Sequence, residues 1–134
     1  MHDLVKYKKF VKAWQNRKQR SNLETRQLAL KAITLAEQCA AILHRDFGAQ
    51  KVYLFGSLAD GYFRRNSDID IVVEGLNPQY YYKALCRIYQ IAENFDIDLI
   101  PFEDYKYKDS VLEQGILFDE RTKKWKNHPP NFYD

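Results

Sequence analysis

A chain of 134 residues, 46% hydrophobic and 29% charged, has the material for one domain around a single core. No apolar run approaches the roughly 20 residues that cross a bilayer, and the opening MHDLVKYKK lacks the apolar stretch of a signal peptide, so the expectation is a cytoplasmic protein without a membrane partner. The net charge of +3 is unevenly spread: residues 1–20 hold Lys6, Lys8, Lys9, Lys12, Arg17, Lys18 and Arg20 against one acid, Asp3. A basic block of this kind attracts nucleic acid, nucleotide phosphates or an acidic protein surface, and charge alone does not choose among them.

Leu4, Tyr7, Val11 and Trp14 recur at helical spacing, which predicts an amphipathic helix over residues 3–19 with basic outer faces. Those faces suit solvent, and contact with a partner protein or RNA is the second reading. Ser21 with Glu24 forms a capping box, so a new helix is expected there. Leu28, Ala32, Leu35, Ala36, Cys39, Ile42 and Leu43 give it a core-facing stripe up to Gly48. The organisation that follows is an N-terminal extension over 1–20, a main domain over 21–118 and a mixed polar and aromatic tail over 119–134. In that tail Trp125, Phe132 and Tyr133 keep large rings without core periodicity, which fits either docking on a partner or packing back on the domain. No histidine is placed as a catalyst: His44 falls in a last helical turn, and His2 and His128 lie in the terminal segments. Cys39 and Cys86 sit in predicted helices without metal-ligand spacing, so buried free thiols are expected.

The central stretch, Lys51 to Glu74, reads KVYLFGSLADGYFRRNSDIDIVVE. A strand runs into Gly56-Ser57, a short helix and a basic turn with Arg64-Arg65-Asn66 follow, and a second strand carries Asp68 and Asp70. Alternate strand residues share a face, so both carboxylates point the same way. Gly75 ends this strand. Asn77-Pro78 then opens a helix over 79–94 with Tyr82, Leu85, Cys86, Tyr89 and Ala92 at helical spacing. Tyr80, Tyr81 and Tyr82 cannot all face one way, so at least one ring looks outward, as plain surface or as a platform for an adenine base. Phe95 to Ile100, FDIDLI, repeats the two-residue acid spacing with Asp96 and Asp98. Pattern alone leaves open which of those two joins the first pair. Ser110–Ile116 reads as a short helix closed by Gly115, before a final apolar strand or turn over 116–118. Carboxylates gathered on neighbouring strands repel unless a cation sits between them, and hard divalent ions prefer such oxygen ligands. A glycine directly after a strand admits a close ligand, and a helix starting at Ser57 would turn its N–H groups toward phosphate.

Gly56, Ser57, ten residues, Asp68, Ile69, Asp70 and a third acid one strand later resemble the DNA polymerase beta-like nucleotidyltransferase superfamily, most closely its minimal nucleotidyltransferase (MNT) branch. The likeness covers roughly Ala49 to Phe118, including the closing LEQGILFDE. It implies an α/β (α+β) fold: a small mixed twisted sheet holding the acids at one end, with helices packed on one side. It implies Asp68, Asp70 and Asp98 as catalytic metal ligands, since the Asp-Leu-Ile order at Asp98 looks like the family's third acid. Two magnesium ions, with manganese as the alternative, and ATP would be the cofactor and substrate. Gly56, Ser57, Arg64, Arg65 and Ser67 would contact the nucleotide. Members often have a basic residue where this chain has Asp60, so Arg64 or Arg65 would supply that charge. The branch further implies an antitoxin that transfers AMP to a tyrosine of a HEPN ribonuclease toxin. A non-catalytic antitoxin that only binds the toxin, and a small-molecule, aminoglycoside-type nucleotidyltransferase, are the alternatives.

Overall fold

The structure is a computed structural model that describes residues 2–126. It opens with α1 (His2–Phe47), a helix of 46 residues. No glycine or proline occurs between residues 2 and 47, so nothing in the backbone enforces a stop at Ser21–Glu24. The two helices expected there are one, and the capping-box residues lie within it. The helix ends at Gly48, whose φ of 69° takes the chain out of the helical path while its N–H bonds His44 O at 3.2 Å. The side chains of His2, Leu4, Tyr7 and Trp14, and all of His128, Phe132 and Tyr133, lie outside the described residues.

The remaining elements are β1 (Lys51–Phe55), α2 (Ser57–Asp60), β2 (Ile69–Glu74), α3 (Tyr81–Ile91), β3 (Ile97–Pro101), α4 (Lys108–Gln114), β4 (Ile116–Asp119) and β5 (Lys124–Trp125). They form a five-stranded sheet in the order β3-β2-β1-β4-β5, with β2 and β3 parallel and the other neighbours antiparallel. This is the mixed α+β sheet expected from the sequence. Alternation along the strands sorts the side chains. Val52, Leu54, Ile69, Ile71, Val73, Ile97 and Leu99 face α1 and α3, where they join Ala32, Ala36, Cys39, Leu43, Ala84 and Ile88 in the main core. The opposite face carries Tyr53 and Val72, covered by Val111 of α4 together with Phe55, Ile100, Phe102, Tyr105 and Leu117. Thus the two long helices share one side, as expected, and the seven-residue α4 adds a smaller cover on the other.

The stripe expected on α3 is displaced. Ala84, Ile88 and Ala92 are buried, whereas Tyr82 and Tyr89 are exposed by 77% and 55%. Tyrosine hydroxyls explain the shift, because Tyr81 Oη donates to Leu99 O at 2.7 Å and Tyr89 Oη to Ile97 O at 3.4 Å. Both rings therefore stay at the outer edge of β3, where they satisfy strand carbonyls that have no neighbouring strand. Cys86 turns outward with them and is exposed, contrary to the buried thiol expected, while Cys39 is buried. Trp125 packs back on its own domain: it is buried in β5, edge-on to Phe118 with ring centroids 5.3 Å apart. His44 is structural. Its Nδ1 lies 2.8 Å from Ala49 O and 3.1 Å from Glu120 Oε1, and its ring stacks on Phe118.

Candidate active site

Strand register gathers the acids. Asp70 stands opposite Phe55 of β1 on one side and opposite Asp98 of β3 on the other. Residues two apart share a face, so Asp68, immediately before β2, joins them on the side away from α1 and α3. Ile69 and Ile71 fix this orientation by burying themselves completely in the helix-covered core. A slip of one residue would bury the carboxylates and expose the isoleucines, which makes the register strongly determined.

Asp70 is half-buried, whereas Asp68, Asp96 and Asp98 are exposed. Burial, followed by the charges of Asp98 and Asp68, pushes the Asp70 carboxyl up to about 6. Of Asp96 and Asp98, it is Asp98 that is the direct partner of Asp70 in the ladder. Asp96 lies one step ahead of β3, where its carbonyl accepts the Ile69 N–H at 2.8 Å.

Gly56 closes the site from the end of β1. Its φ of 77° and ψ of −153° suit glycine alone, and a Cβ there would collide with Asp70 Oδ2 and lie 3.2 Å from Asp70 Cγ. The expected short helix α2 begins at the next residue, Ser57. It is held by Asp60 N–H to Gly56 O at 3.0 Å and by Leu58 and Ala59, both buried. Ser57 is thereby half-buried in the turn beside Asp70.

Arg64 and Arg65 line a cavity of about 510 Å3 against α1, together with Glu24, Thr25, Leu28 and Lys31. Arg64 Nη1 donates to Phe63 O at 3.1 Å, and Ser67 Oγ accepts the Arg64 N–H at 3.0 Å, closing the turn that leads into the acids. Among the described residues, no ion pair joins Arg64 or Arg65 to Asp68, Asp70 or Asp98.

Sequence reasoning missed an aromatic flank. The Tyr105 ring meets Phe55, the neighbour of Asp70, edge-on at 6.3 Å, and the Tyr107 ring meets Tyr105 at 5.3 Å. Burial, followed by the charges of Asp70, Tyr107 and Asp98, pushes the Tyr105 hydroxyl above its ordinary range. The alternation Tyr105-Lys106-Tyr107-Lys108, set off by three residues from the strand of Asp98, was the available signal.

The donor set, carboxylate oxygens only, suits a hard divalent cation, which would offset the part of the Asp70 shift that comes, after burial, from the charges of Asp98 and Asp68. Among the described residues, no group of three or more His, Cys, Asp or Glu side chains is arranged to hold a metal ion.

A mixed sheet that presents a Gly-Ser turn beside paired aspartates is a nucleotidyltransferase fold. The profile described as "Polymerase beta, Nucleotidyltransferase" matches residues 37–124, more than half of the chain, and the protein belongs to that family. Among solved structures, one of a toxin-antitoxin with AMP-PNP is similar at 28% identity and a TM-score of 0.50, covering 65% of this chain and 77% of that one. A mutant of the toxin-antitoxin MntA-HpeT shares 28% identity over 60% of this chain and 70% of its own, with a TM-score of 0.49. No curated protein is a significant match.

Proposed function

We propose that this chain is an antitoxin nucleotidyltransferase that transfers AMP from ATP to a tyrosine hydroxyl of a partner HEPN ribonuclease toxin. The observation that carries the catalytic part is Asp70 set against Gly56 on one strand and opposite Asp98 on the next. Membership of the polymerase beta family and the likeness to a toxin-antitoxin structure with AMP-PNP support a nucleotide substrate and a toxin partner. The acceptor tyrosine and the HEPN class follow from the resemblance to minimal nucleotidyltransferases.

Asp68, Asp70 and Asp98 are the residues that would hold magnesium, which when bound offsets triphosphate charge and eases ionisation of an acceptor hydroxyl. The remaining roles belong to the chain itself. Gly56, lacking a side chain, lets the Asp70 carboxylate lie against the turn, and Ser57 offers its hydroxyl and the N–H groups of the turn. In the transfer, the tyrosine oxygen bonds to the α-phosphorus, the bond to the bridging oxygen of the β-phosphate breaks, and pyrophosphate leaves. The tyrosine proton passes to solvent or to an exposed carboxylate such as Asp98. Positioning and charge complementarity supply most of the rate in such reactions, so a structural role for His44 is no obstacle.

The test is the intact mass of the partner toxin after incubation with ATP and magnesium, using the wild type and an Asp68→Asn/Asp70→Asn variant. Mass gain in steps of one AMP with the wild type alone is expected. No gain, with the toxin silenced equally by both forms, would replace this reading with neutralisation by binding.

A further inference from the structure

Within that nucleotidyltransferase reading, the three acids leave the open face of the sheet negative, yet the substrate is a polyanion. Magnesium would offset part of the triphosphate charge, and protein cations on the same face would add to it. Arg64 and Arg65 line the cavity against α1. We infer that the turn Tyr105–Lys108, between β3 and α4, grips the nucleotide: Tyr107 offers its ring to the base, and Lys106 and Lys108 their ammonium groups to the triphosphate.

Four observations carry this. A file of rings leads outward from the acids, from Phe55 beside Asp70 to Tyr105 at 6.3 Å and on to Tyr107 at 5.3 Å, each step edge-on. Edge-on packing against Tyr105 leaves the outer ring 49% exposed, a large apolar surface beside a polar site. Lys106 Nζ lies 5.0 Å from the Tyr107 ring and Lys108 Nζ 5.9 Å from the Phe102 ring, so both cations are held over aromatic faces. None of the ion pairs among the described residues uses either lysine, so both charges are available to phosphate. Aromatic rings interleaved with cations bind a base and its phosphates by stacking and charge, without sequence-specific hydrogen bonds.

Calorimetric titration of AMP-PNP with magnesium into the protein tests the inference without any acceptor. Tyr107→Ala should weaken binding about tenfold and Tyr107→Phe should restore it, as expected for stacking. Lys106→Ala/Lys108→Ala should weaken binding at least about tenfold at low salt, with the difference shrinking as salt is raised. Melting temperatures of all three should stay near that of the wild type, since the altered side chains are exposed. Wild-type affinity in both alanine variants would overturn the inference and leave the nucleotidyltransferase reading standing. A wild type that binds no nucleotide would overturn both.

Discussion

Asp70→Asn should make the metal-free protein more stable at neutral pH while abolishing its proposed activity. The Asp70 carboxyl is pushed from 3.8 up to about 6, first by burial and then by Asp98 and Asp68. Each pKa unit corresponds to about 1.4 kcal/mol, giving an upper bound of roughly 3 kcal/mol. Because the group is half-exposed, screening by solvent reduces this to about 1–1.5 kcal/mol. The raised folded-state value means that the native protein holds the proton more tightly than the unfolded chain. Stability from this group is therefore complete below about pH 4 and is lost as pH rises through about 6. Asparagine, uncharged at every pH, escapes that loss. Thermal unfolding in a chelator should show the variant melting about 3–5 °C above the wild type at pH 7.5, with the advantage vanishing near pH 4. Magnesium should raise the wild type more than the variant. A variant less stable than the wild type at pH 7.5, or equally stabilised at both pH values, would refute the reasoning.

Three further outcomes are expected. Gly56→Ala combines a strained φ of 77° with a Cβ driven into Asp70, so it should cost about 1–3 kcal/mol in denaturant melts and about a hundredfold in transfer rate. Phe63→Ala empties a fully buried site whose ring lies 6.2 Å from that of Phe95, and should lower unfolding free energy by about 3–5 kcal/mol. Native protein treated with a thiol reagent should label at exposed Cys86 alone, because Cys39 is buried and its thiol is pushed up to about 12; a second equivalent appears only after unfolding.

The part of the site that was legible in the sequence depends on period-two alternation. Ile69-Asp70-Ile71 and Ile97-Asp98-Leu99 declare their own faces, since one set must be buried and the other cannot be. Gly56 was legible for a similar reason: a glycine between a strand and a helix signals a close approach, and Asp70 turned out to be the group approached. What stayed hidden depends on partners distant in the chain. Ser21–Glu24 looks like a helix start, yet a capping box is equally content inside a helix when no glycine or proline interrupts it. The α3 stripe was misplaced because Tyr81 and Tyr89 serve the carbonyls of a strand edge that only the tertiary fold creates. Trp125 lacked core periodicity because it packs from a two-residue strand, too short to show a pattern. The neighbourhood of Tyr105 and Asp70 depends on Phe55, fifty residues earlier in the chain.

Nucleotidyl transfer through the Asp68, Asp70 and Asp98 cluster is tested most directly by label position. The protein, its partner toxin and magnesium would be incubated in parallel with ATP labelled at the α- or the γ-phosphate, and the toxin band counted. Label from the α-phosphate alone, absent with Asp70→Asn, is the expected result. Label from the γ-phosphate would mean a kinase-type transfer, and label from neither, in a protein that still silences the toxin, would mean that the acids do no chemistry on that partner.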